Sequence, residues 1–139
     1  MKPKIRLLVI GVVLAFIAAA LVWNYTFKKA DTNVSARKAD FELKASELIA
    51  AFDSNEAAAN TQYLNKVISV NGMVESISED SLGISVYLKE PDAIGGVICG
   101  FDLKSNDVSL IRKGSSITIK GICTGYLLDV VMNKCSVEK

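Results

Sequence analysis

The sequence predicts a mainly β domain: a small five-stranded closed barrel, preceded by an amphipathic helix and an N-terminal transmembrane helix. Two strands carry the prediction. Val67–Val74 (VISVNGMV) and Ile117–Cys123 (ITIKGIC) share one pattern, apolar, polar, apolar, polar, Gly, apolar. Strict alternation is the period of a half-buried strand, and a glycine inside it marks a bend or a close approach of backbone. Two bent strands of this kind suit a closed barrel. The transmembrane helix is predicted by Leu7–Trp23 (LLVIGVVLAFIAAALVW), which has no charge.

A helix over that run rises roughly 26 Å at 1.5 Å per residue, with Ile5 and a snorkelling Arg6 extending it toward the thickness of a bilayer core. Lys2, Lys4 and Arg6 precede it, Trp23 and Tyr25 stand at its far end as interfacial anchors, and Lys28 and Lys29 follow. A short basic tail before a first apolar helix predicts a signal anchor with the amino terminus in the cytoplasm. The C-terminal domain is then extracytoplasmic, on a single pass through the inner (cytoplasmic) membrane. The competing reading is cleavage after Ala18–Ala20, but Leu21, Val22 and Trp23 continue the apolar run past it.

We divide the chain into the anchor, residues 1–25, a linker, 26–39, an amphipathic helical segment, 40–60, and the barrel, 61–139. Asp40 is expected to cap a helix whose Phe41, Ala45, Leu48 and Phe52 form one apolar stripe. Strands follow over Lys66–Ser76 and Ile84–Lys89, the latter ended by Pro91, and a third is opened by Gly95 and Gly96, with Val97, Cys99 and Phe101 inward. Lys104–Ile111 fits a helical turn. The last two strands are Ser115–Thr124 and Asp129–Val137, and either Val130 or Val131 fits the interior.

Composition excludes several functions. The 139 residues contain no histidine, the commonest general base and metal ligand. Cys99, Cys123 and Cys135 form no CxxC pair, so neither a metal nor another cofactor is expected. Glu79 with Asp80, and Glu90 with Asp92, read as turn-formers, and no nucleophile accompanies them, so no enzyme is expected. Gly95, Gly96 and Gly100 lack the Gly-Lys-Ser/Thr of a phosphate loop. Arg112, Lys113 and Gly114 read as a solvated basic turn. From Asn24 onward thirteen Lys and Arg face fifteen Asp and Glu, and from Tyr63 onward eight face nine. This balance provides no basic stripe and argues against a nucleic-acid partner.

Five strands with a helical turn between the third and fourth is the order of an OB-fold barrel. Asn55–Val74 (NEAAANTQYLNKVISVNGMV) and Gly121–Cys135 (GICTGYLLDVVMNKC) resemble the two signatures of the bacterial tRNA-anti-like OB family. These are an Asn-Glu helix running into a Tyr-x-x-Lys strand, then Gly-x-Cys-x-Gly, Asp-Val and a last Cys. The resemblance covers about residues 40–137. It implies the fold and no particular ligand.

The candidate ligand contacts are Tyr87, Lys89 and Tyr126, on the barrel face around the second and third strands. Gly72, Gly121, Gly125 and Asp129 are candidate structural positions, Asp129 as an acceptor of backbone N–H groups. Cys123 and Cys135 are a candidate disulfide, with Cys99 an alternative partner. The expected function is a membrane-tethered, extracytoplasmic, non-enzymatic binding module for a protein, glycan or envelope component. The alternative is a single-stranded nucleic-acid binder using the same face.

Overall fold

The computed structural model describes residues 3–28 and 34–139. Residues 29–33 of the expected linker, and Lys2 and Lys29 of the basic flanks, lie outside the described residues. The chain divides into two units, Met1–Thr32 and Asn33–Lys139.

The first unit is one helix, α1 (Pro3–Lys28). Proline at its first position forgoes an N–H that the first turn leaves unpaired in any case. Its Pro3–Tyr25 portion, 23 residues, is long and apolar enough to cross a membrane. A helix that is apolar on every side is suited to hydrocarbon rather than water.

The second unit is a closed barrel. Its strands are β2 (Val67–Glu79), β3 (Ile84–Leu88), β4 (Val97–Phe101), β5 (Ser116–Leu127) and β6 (Asp129–Val137), and a short strand, β1 (Phe41–Lys44), lies outside β2. The order is β1-β2-β3-β4-β6-β5, and a β2–β5 pairing closes the ring. β2 makes closure possible by serving two neighbours. Val67–Met73 pairs with Ile122–Ser116 of β5, whereas the stretch from Val74 to Glu79 pairs with β3. The two patterned glycines sit inward on these strands, each opposite an isoleucine, Gly72 across from Ile117 and Gly121 across from Ile68. Ile68, Val70, Val86, Leu88, Val97, Cys99, Ile119, Val130 and Met132 fill the interior. The phase of β6 is thereby fixed, with Val130 buried and Val131 only partly so. The expected helical turn is a 3-10 helix, Asn106–Leu110.

Two helices follow β1: α2 (Ala45–Ser54) and α3 (Glu56–Tyr63). α2 packs Leu48, Ile49 and Phe52 into the core, and a fully buried side chain of Phe52's size contributes roughly 2–3 kcal/mol. The helix starts later than expected. Asp40 does not cap it: its carboxylate accepts the Val67 N–H at 3.0 Å, while its own N–H donates to the Val67 carbonyl at 2.7 Å. That pair of bonds lays Phe41–Lys44 alongside Ile68–Asn71 as a parallel strand. Glu47 caps instead, accepting the Lys44 N–H at 2.9 Å. Asn55 ends α2 and begins α3, its side-chain oxygen accepting the Ala58 N–H at 3.1 Å. Asn65, at φ 61°, then turns the chain into β2.

The folded unit also takes in part of the expected linker. Val34–Ala36 form a 3-10 turn, with Val34 buried at 3 % exposure. Beneath it, Lys120 on the outer face of β5 is buried at 8 % exposure and donates from Nζ to the Ser35 carbonyl at 3.2 Å.

Candidate functional site

β3 alternates, so Val86 and Leu88 point inward while Ser85, Tyr87 and Lys89 share the outer face. Tyr87 is tied down there. Its hydroxyl donates to Asp129 Oδ1 at 2.8 Å, and the same oxygen accepts the Gly96 N–H at 2.8 Å. A side chain at Gly96 would meet the Tyr87 ring at 2.8 Å, so glycine is required for the loop to lie against the ring. Partial burial, the bond to Asp129 and the negative charges of Asp129 and Glu75 push the Tyr87 phenol up to about 12. Asp129 thus accepts a backbone N–H from the β3–β4 connection, not from its own turn, and also holds Tyr87.

Tyr126, in β5, pairs with Val130 of β6, which follows Asp129. Its ring stacks on Phe52 at a centroid distance of 5.1 Å and an interplanar angle of 19°, and its hydroxyl donates to Asp53. The bond to Asp53 raises the Tyr126 pKa, helped by the charges of Asp53, Glu56 and Asp129. Lys89 continues from β3, its N–H donating to the Met73 carbonyl at 3.0 Å. Tyr87 and Tyr126 thus flank the start of β6, each engaged with its own carboxylate, while Lys89 shares only the strand face with Tyr87.

The expected structural positions divide. A Cβ at Gly72 would lie 3.0 Å from Ala45 Cβ and 3.2 Å from Leu88 Cβ, and one at Gly121 would lie 2.5 Å from Cys135 Sγ. Both glycines are required by packing. Gly125 faces open space, with nothing within 4 Å. The three cysteines are free and buried, which corrects the expected Cys123–Cys135 disulfide. Cys123 is paired with Met132, and Cys135 sits beside Gly121, so the two are not cross-strand partners. Cys135 instead hydrogen-bonds with Cys99, which together with burial pushes the Cys99 thiol well above its usual range.

Two shallow grooves flank the barrel. One, about 420 Å³, runs past Asp80, Leu82, Gly83, Asp102, Asn133 and Lys134. The other, about 390 Å³, is lined by Glu42, Lys44, Glu47, Asn71, Thr118 and Glu138, with Glu138 accepting from the Ser69 hydroxyl. Carboxylates line both grooves. Sequence reasoning missed Asp53, Glu138 and the exposed Ile94, Leu127 and Leu128. The last two had a signal, since two adjacent leucines at a hairpin reversal are unusual where Asn and Gly are favoured.

A profile of the family described as tRNA_anti-like matches residues 1–137, so the match reaches through the apolar helix as well as the barrel. No curated protein matches the chain. Among solved structures, a Klebsiella pneumoniae chain described as a putative nucleic acid-binding lipoprotein is 21 % identical, with a TM-score of 0.60 over 78 % of this chain and 98 % of that one. An asparaginyl-tRNA synthetase of Entamoeba histolytica is 18 % identical, with a TM-score of 0.40 over 52 % of this chain and 20 % of that one. The aspartyl-tRNA synthetase of the same organism is 13 % identical, with a TM-score of 0.43 over 73 % and 25 % respectively.

Proposed function

The chain belongs to the tRNA_anti-like family, and from that premise we propose that it is a membrane-tethered, non-enzymatic OB-fold module that binds a protein, glycan or envelope component outside the cytoplasm. One observation carries the reading. The two tyrosines available as base platforms are both engaged by carboxylates, Tyr87 by Asp129 and Tyr126 by Asp53, and Tyr126 is stacked on Phe52 besides. Single-strand binders need free aromatic faces, worth roughly 1–3 kcal/mol per base, and clustered Lys and Arg for the phosphates. Here the aromatic hydroxyls are anchored to negative charge, and the basic residues nearest in sequence are Lys89 for Tyr87 and Lys120 for Tyr126, the latter buried against Ser35.

α1 supplies the tether, as an anchor in the inner membrane with the barrel on the extracytoplasmic side. The second reading, a single-stranded nucleic-acid binder, is favoured by the description of the Klebsiella pneumoniae chain of the same fold. Fluorescence anisotropy with single-stranded DNA and RNA at about physiological salt separates the two. We expect affinity at a millimolar level or weaker once the cost of immobilising a flexible strand is included. Micromolar binding that is weakened by salt and by Tyr87→Ala would replace the first reading with the second. For the tether, we expect the full chain to remain in the membrane pellet after alkaline carbonate washing. A mature amino terminus at or after Leu21 would overturn it.

A further inference from the structure

Ile94 is 99 % exposed, Leu127 87 % and Leu128 80 %. They belong to two loops that are distant in sequence, Ile94 in the connection from β3 to β4 and the two leucines at the reversal from β5 to β6. The loops are fastened to each other. Gly96 donates to Asp129 Oδ1 at 2.8 Å, Val130 donates to the Gly96 carbonyl at 3.0 Å, and Gly95 lies so close to the Leu128 carbonyl that a Cβ there would overlap it. Ile94 and Leu128 therefore flank a single contact between the loops.

The reversal is tight. Leu127 pairs with Asp129, leaving Leu128 alone at the tip with φ 67°, a left-handed backbone that ordinarily goes to Gly or Asn. This chain accepts both an unfavourable backbone and two leucines in water at the same place. Packing within the barrel does not require either leucine.

The surroundings specify what covers the tip. Glu90 and Asp92 lie in the loop that carries Ile94, Asp129 follows the leucines, and Asp53 and Glu56 stand close enough to act on Tyr126 beside them. Lys89 is the one base in residues 89–96 and 125–130. An apolar point whose two loops carry Glu90, Asp92 and Asp129 against the single base Lys89 is repelled by phosphate chains and by anionic lipid surfaces. It matches an apolar socket rimmed by Lys and Arg. We propose that Ile94, Leu127 and Leu128 form the docking tip of this module, inserting into such a socket on a partner protein. This deepens the binding-module reading and rests on it.

The test places the photoreactive residue benzoylphenylalanine in the full chain, made in its native cells, at Leu128 or Ile94, with Lys89 and Leu110 as comparison positions. The expected result is a discrete protein adduct from Leu128 and Ile94 but not from Leu110, with the partner's cross-linked peptide apolar and flanked by Lys or Arg. A Glu90→Lys, Asp92→Lys double variant that melts like the parent should lower the yield by about tenfold or more. Adducts at the tip with lipid, nucleic acid or a second copy alone would overturn the proposal, as would a yield indifferent to charge reversal. Adducts from Lys89 without any from the tip would overturn it while leaving the binding-module reading intact. Protein adducts from none of the positions would overturn the proposal, and adducts of no kind from any position would overturn the binding-module reading as well.

Discussion

The Tyr87 hydroxyl donates to Asp129 Oδ1 at 2.8 Å, and that oxygen also accepts the Gly96 N–H. One carboxylate thus joins β3, the loop after it and the start of β6. Asp129→Ala removes the acceptor from two donors at once and should cost about 2–3 kcal/mol, whereas Tyr87→Phe removes one bond and should cost about 1 kcal/mol. Urea unfolding of the two variants checks this. Equal losses would show that Asp129 does not serve both donors.

The same bond sets a pH dependence. The Tyr87 phenol is raised from 10.0 to about 12, so the neutral form is favoured by folding. Its contribution is fully present below about pH 10 and is lost as pH rises through about 12. The hydrogen bond with Cys135 and burial raise the Cys99 thiol, burial raises that of Cys123 and the Asp53 bond raises Tyr126, so those groups weaken the fold with rising pH as well. The measurement is therefore a difference. The stability of Tyr87→Phe should fall less steeply above pH 10 than that of the parent, and parallel curves would remove Tyr87 from the account.

Gly72 and Gly125 should respond to alanine to different extents. At Gly72 the added Cβ meets Ala45 Cβ at 3.0 Å and Leu88 Cβ at 3.2 Å, in a packed interior where neither can retreat freely. Overpacking of this kind costs about 1–3 kcal/mol, and Gly72→Val should cost more. At Gly125 nothing lies within 4 Å, so Gly125→Ala should change stability by about 0.5 kcal/mol or less. Thermal melts of the pair decide it, and similar losses at both positions would contradict the packing argument.

Legibility followed the range of the interactions. β2 and β5 were readable because alternation is local, and Ile68, Val70, Ile119 and Cys123 do point inward. The start of α2 was misplaced because Phe41 and Ala45 fit a helical period by coincidence, while the bonds that make Phe41–Lys44 a strand come from Val67. Lys120 reads as a solvent-facing strand residue, and only the cover provided by Val34 and Ser35 buries it. The Tyr126–Asp53 bond joins residues 73 positions apart, and no spacing in the sequence announces it.

The last prediction concerns the thiols. Cys99 and Cys123 are fully buried and Cys135 nearly so, and all three are free. A thiol reacts as its thiolate, so two effects protect Cys99 and Cys123: burial excludes reagent, and the pKa is raised, at Cys99 by the hydrogen bond with Cys135 and burial and at Cys123 by burial. The native domain should therefore resist an aromatic disulfide reagent at neutral pH and yield three equivalents once unfolded. Disulfide geometry requires Cβ atoms about 3.5–4.5 Å apart, and β5–β6 pairing sets Met132, not Cys135, opposite Cys123. Peptide mapping under non-reducing conditions should find no Cys123–Cys135 link. If an oxidant does bridge two of the three in the folded chain, the neighbours are Cys99 and Cys135. A Cys123–Cys135 peptide from folded material would mean that β5 and β6 pair in a different register from the one described, displacing Gly121 from Cys135 as well.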